Sequence, residues 1–100
     1  MIDAVISVHG VPIRLTEERW NHIAEEHAEL MGLLGDVLAA VEEPDRVLAG
    51  GDGELLALRQ QSDGKTLVVV YREDGMDGFV ITAFLTRREA SLNRRTQVWP

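Results

Sequence analysis

The segment RWNHIAEEHAEL, residues 19–30, places two histidines and three glutamates in one stretch of helical character. Imidazoles next to carboxylates can hold a metal, move a proton, or do neither, and the spacing narrows the choice. Zinc motifs on a helix use histidines at i and i+4, on one face. His22 and His27 stand five apart, about 140° around an ideal helix, so no metal site is expected. On a helical wheel Trp20, Ile23, Ala24, His27 and Leu30 follow the i, i+3, i+4, i+7 stripe that faces a core. His22 falls opposite, between Glu18 and Glu26, where an exposed pair is of little consequence. His27 is the informative one. On the apolar stripe near the helix end it is either a core-edge histidine bonded to backbone or an acid–base group at the rim of a sheet.

Other polar side chains interrupt apolar runs. Thr82 and Thr86 in FVITAFLT share a face with Val80 and Phe84 by alternation, and threonine there is also explained by strand propensity alone. Arg59 and Arg72 close LLALR and VVVYR, where they can converge with Arg87 and Arg88 at the sheet margin. Tyr71 alternates to the face opposite Arg72. Asp52, Asp63, Asp74 and Asp77 read as turn residues. The chain has no Gly-rich phosphate loop, no nucleophile elbow and no second obvious acid–base residue.

These residues need elements to hold them. AVISVHGVPIRL reads as two short extended pieces around Gly10, an N-terminal hairpin. Thr16 is an N-cap, with Glu17 and Glu18 in a first turn whose dipole favours negative charge. The first helix is expected over residues 17–29. A second, with Leu34, Val37, Leu38 and Val41 on one face, is stopped by Pro44. DRVLAG, ELLALRQQ, KTLVVVYRE and FVITAFLT then read as strands separated by Asp-Gly turns. The expectation is an α+β domain over residues 1–100: two N-terminal helices packed on a four-stranded antiparallel meander sheet, with a short N-terminal hairpin and a tail ending TQVWP. The runs 67–71 and 79–86, apolar on both faces, should be central.

Composition sets the outer bounds. One hundred residues, 45% hydrophobic and 27% charged, suit a single globular domain. The absence of cysteine excludes disulfides and thiol chemistry. The start MIDAVISVHG has no basic beginning and no long apolar run, so neither a signal peptide nor a membrane span is expected, and the expected location is cytoplasmic. The net charge of −7 argues against indiscriminate nucleic-acid binding, but it hides a gradient. Residues 17–29 carry five glutamates against one arginine, and RREASLNRR, residues 87–95, carries four arginines against one glutamate.

Taken in order, RLTEERWNHIAEEHAEL, VLAAVEEPDRVL, LVVVY, FVITAFLTRR and the closing VW resemble the phage- and bacteria-associated branch of the barnase–EndoU–colicin–RelE-like (BECR) nuclease superfamily, over about Ile13 to Trp99. His27 in HAE matches the histidine of that family's His-Pro-Glu helix end, with Ala28 in place of proline. Val80, Thr82, Ala83 and Phe84 match its V-x-T-A-Y strand, with phenylalanine for tyrosine, and Arg87 and Arg88 match the basic residues that follow. The resemblance implies a small metal-independent endoribonuclease, without cofactor, in which the RNA 2′-hydroxyl attacks the adjacent phosphorus to give a 2′,3′-cyclic phosphate. His27 would be the base, Arg87, Arg72 and Arg59 the candidates for charge stabilisation, Thr82 or Thr86 the group orienting a phosphate oxygen, and Arg88 a further phosphate contact. Many relatives are toxins, so the expected partners are an RNA substrate and a cognate antitoxin protein. The alternative is a catalytically inert domain of the same fold that binds a protein or forms a homodimer through an apolar patch including Trp99.

Overall fold

A computed structural model describes residues 2–100; Met1, the first residue of the expected domain, lies outside the described residues. The N-terminal pieces form a hairpin, β1 (Ile2–Ile6) with β2 (Pro12–Thr16), paired antiparallel. Its turn needs the positive φ of Gly10, 81°. Ser7 Oγ accepts from the backbone N–H groups of His9 and Val11. Thr16 then caps α1 (Glu17–Glu26), its side chain accepting from the Arg19 N–H at 3.1 Å. The helix ends earlier than expected: His27, at φ −130° and ψ 74°, leaves the helical region, and Ala28–Leu30 form one 3-10 turn. α2 (Leu34–Glu42) stops before Pro44.

Next come β3 (Arg46–Ala49), β4 (Leu55–Gln60), β5 (Thr66–Asp74) and β6 (Asp77–Thr86), followed by α3 (Glu89–Leu92) and β7 (Gln97–Trp99). The strand order is β1-β2-β6-β5-β4-β3-β7. The four expected strands are therefore the middle of a larger sheet. Among the described residues the sheet has seven strands and is mixed, and there are three helices, which overturns the four-stranded antiparallel meander with two helices. Two pairings account for the difference. β2 joins β6 in parallel through Ile13 opposite Gly78 and Arg14 opposite Phe79, and the tail joins β3 antiparallel through Trp99 and Gln97.

α1 and α2 cover one face, where Ile23, Leu30, Val37 and Val41 close a core with Ile13, Leu67, Val69 and Tyr71. The other face has a smaller core: Leu92 of α3 seals Leu48, Leu56, Leu58 and Val68, with Val70 and Phe84 partly buried beside it. α3 is a single turn and covers only part of that face. The rest stays open, and no described helix is long and apolar enough to cross a membrane.

Candidate functional site on the open sheet face

The open face owes its composition to a break in register. β5 and β6 pair regularly from Thr66–Thr86 to Val70–Thr82, then Tyr71 lies opposite Val80, so β6 carries one extra residue at Ile81. Cross-strand partners share a face. Thr82, Phe84 and Thr86 thus lie on the open side with Val70, Val68 and Thr66, as alternation predicts. Val80 does not: beyond the bulge it joins Tyr71 under the helices, 1% exposed. The same shift brings Phe79, opposite Arg72, onto the open face. Phe79 and Arg14 were invisible as site residues to strict alternation, because counting from Thr82 puts Phe79 on the wrong side.

His27 stands at the margin of this face. β2 accompanies β6 only to Phe79, and beyond it α1 and the 3-10 turn pack alongside β6. The helix-ending conformation of His27 sets its ring against Phe84, with centroids 6.3 Å apart and planes tilted by 37°. Its side chain is 33% exposed, and Nδ1 lies 3.7 Å from Glu29 Oε2. His22 points elsewhere, its Nε2 2.7 Å from Glu26 Oε1 with both side chains exposed.

From Phe84 the strip continues to Thr82 and then to Arg72, which is diagonal to Thr82 through the Val70–Thr82 pair. Arg72 donates from Nη2 to the Asp52 carbonyl at 2.9 Å. Glu54 is next to it, its Oε1 accepting from the Asp52 N–H at 2.7 Å. That bond, with the Glu54 N–H and the charges of Arg72 and Arg95, holds the carboxyl below its ordinary value, so it is an acceptor and not an acid.

The remaining sequence candidates are dispersed. Arg87 is exposed and donates from Nη1 to the Asp63 carbonyl at 3.2 Å, in the turn between β4 and β5. Its backbone is five residues past Thr82, about 16 Å along an extended strand. Arg88 is exposed, its N–H donating to Thr86 Oγ1 at 3.0 Å. Arg59 is opposite Leu67 on the helix side, where Nη1 donates to the Glu43 carbonyl at the end of α2, 2.6 Å away. The structure therefore brings His27 to Phe84 and places Thr82 and then Arg72 farther along the same face, with the Arg72 guanidinium turned to the β3–β4 turn; Arg87 follows Phe84 toward the other end of the strip, and Arg59 is on the helix side.

Further polar groups lie outside the strip. The Tyr71 hydroxyl is buried under the helices without a hydrogen-bond partner among the described residues; burial, then the Glu73 charge, pushes the phenol well above its ordinary value and keeps it neutral. His9 Nδ1 is 2.8 Å from Glu73 Oε1, which ties the β1–β2 turn to β5. Two concavities, about 490 Å³ along α1 and about 630 Å³ beside Pro44, include none of His27, Thr82, Phe84 or Arg72. Among the described residues no group of three histidine, aspartate or glutamate side chains is placed to hold a metal ion.

Charge is sorted between the two faces. The helical layer carries Glu17, Glu18, Glu25, Glu26, Glu29, Asp36 and Glu42 against Arg19. The strand register puts Arg14, Arg46 and Arg72 on the opposite face together with Asp74 and Asp77, Arg59 is on the helix side, and α3 on the open side is flanked in sequence by Arg87, Arg88, Arg94 and Arg95. Comparison with the models of known protein families, with curated protein sequences and with solved structures gives no match.

Proposed function

We propose that the chain is a small metal-independent endoribonuclease, the activity implied by its BECR resemblance, and that the open sheet face is where it takes RNA. The observation that supports this most is the His27 ring, one-third exposed and against Phe84 at the head of the strip that runs through Thr82 to Arg72.

In this reading His27 Nε2 removes the proton of an RNA 2′-hydroxyl as its oxygen attacks the adjacent phosphorus. The bond from phosphorus to the 5′-oxygen breaks, and a 2′,3′-cyclic phosphate forms. Thr82 donates to one of the phosphoryl oxygens on which charge grows, and Arg72 contacts the next phosphate toward Phe79. The other histidines are engaged elsewhere with Glu26 and Glu73, so water protonates the leaving 5′-oxygen. Arg87 and Arg88 contact phosphates farther along the strand. As a toxin of the cytoplasm, the chain would be silenced by a cognate antitoxin protein that covers this face.

The test is cleavage of total RNA by purified protein in EDTA, with the product ends identified. Wild type is expected to leave 2′,3′-cyclic phosphates, and His27→Ala to lose at least about 100-fold in rate, the usual contribution of a positioned base. No cleavage by a folded wild-type sample would transfer the reading to the inert binding domain, which the lack of a second histidine on the face favours.

A further inference from the structure

Phe79 lies in β6, an interior strand with neighbours on both sides, yet it is 42% exposed. Register explains what surrounds it. Arg14 of β2 is directly opposite on one side, and Arg72 of β5 is directly opposite on the other. An arginine, an aromatic ring and a second arginine thus form one row across three strands, about 10 Å wide at the usual strand spacing. Beside the row is a cavity of about 200 Å³ lined by Arg14, Thr16, Arg19, Phe79 and Val80.

An exposed ring in register with two arginines, whose guanidinium groups reach Asp77 on one side and the Asp52 carbonyl on the other, does little for the stability of a sheet whose apolar residues are packed elsewhere. It has the chemistry of a base-stacking platform. A nucleobase offers a π-face to phenylalanine, and the phosphates on either side of it meet arginine. The partner must be unpaired, because bases in a duplex present only their edges. We propose that the Arg14–Phe79–Arg72 row is a subsite for single-stranded RNA, which stacks one base on Phe79 and sets the strand along β6 toward Phe84 and His27. This rests on the reading that the open face takes RNA, and it adds the substrate class: unpaired, with a base held about 15 Å from Phe84 along the strand.

Two carboxylates modulate the row. Arg14 Nη2 donates to Asp77 Oδ2 at 2.8 Å, with both side chains half-exposed, and Glu54 is near Arg72. Asp77 occupies the guanidinium that a phosphate would use, so it is a competitor for the ligand.

The experiment measures anisotropy of a labelled oligouridine of about ten nucleotides, 2′-O-methylated so that it lacks the attacking hydroxyl, with the wild-type chain and variants. The single strand is expected to bind. Phe79→Ala should weaken it about tenfold, Phe79→Trp should restore it, and Asp77→Asn should tighten it. The same strand annealed to its complement should bind less well. Unchanged affinity in Phe79→Ala, equal binding of the duplex, or no binding of RNA at all would overturn the proposal. So would a loss of self-association in Phe79→Ala with RNA affinity intact, which would make the row a protein contact. Binding that depends on Phe79 without cleavage by wild type keeps this subsite and removes the nuclease reading. Cleavage with an unchanged KM in Phe79→Ala does the reverse.

Discussion

Tyr71 and His27 are two polar aromatic rings placed by the same sheet, and burial separates their uses. Tyr71 faces the helices, is fully buried and has no partner for its hydroxyl among the described residues. An unmet buried donor costs about 1–3 kcal/mol, so Tyr71→Phe is expected to stabilise the chain by about 1 kcal/mol in urea denaturation. A loss of that size would mean that the hydroxyl is bonded through a buried water. His27 keeps a third of its side chain in solvent and one ring nitrogen away from Glu29. The wheel already set His27 apart from His22, because the 3.6-residue period fixes direction around a helix whatever lies beyond it. Alternation failed for Val80 and Phe79 because one extra residue at Ile81 reverses every side chain on its far side, and nothing in DGFVITAF marks that residue.

Elements position the site through their ends. α1 ends at His27, so the proposed base is carried by a helix terminus and not by its stripe. α2 ends with the Glu43 carbonyl bound by Arg59, at the helix pole where positive charge is favoured. Arg59→Ala is expected to cost about 1–2 kcal/mol of stability and to leave RNA cleavage unchanged, as read by denaturation and a cleavage assay on one preparation. A cleavage defect with unaltered stability would return Arg59 to the site. The meander strands and both longer helices were legible, since each is a local pattern bounded by turn residues and caps. β7 and the β2–β6 pairing were not. β7 has three residues, and β2 meets β6 through two residue pairs across more than sixty positions of chain. Such pairings are decided by tertiary packing, which no local period encodes.

At the scale of the molecule the net charge of −7 is a poor guide to partners. It averages an acidic helical layer with a sheet face and α3 margin where arginine collects. An RNA phosphate approaching the open face meets arginines that the sum conceals, and such contacts weaken with salt as counterions return. The gradient from glutamate-rich to arginine-rich segments was visible in sequence; that the fold puts them on opposite faces was not. The most direct test of the RNA site is amide chemical-shift mapping of the labelled wild-type chain with the 2′-O-methyl strand. Shifts are expected at Arg14, Val70, Arg72, Phe79, Thr82 and Phe84, with α2 unmoved. Shifts confined to α1 and α2, or to the edge strands β1 and β7, would contradict the proposed site.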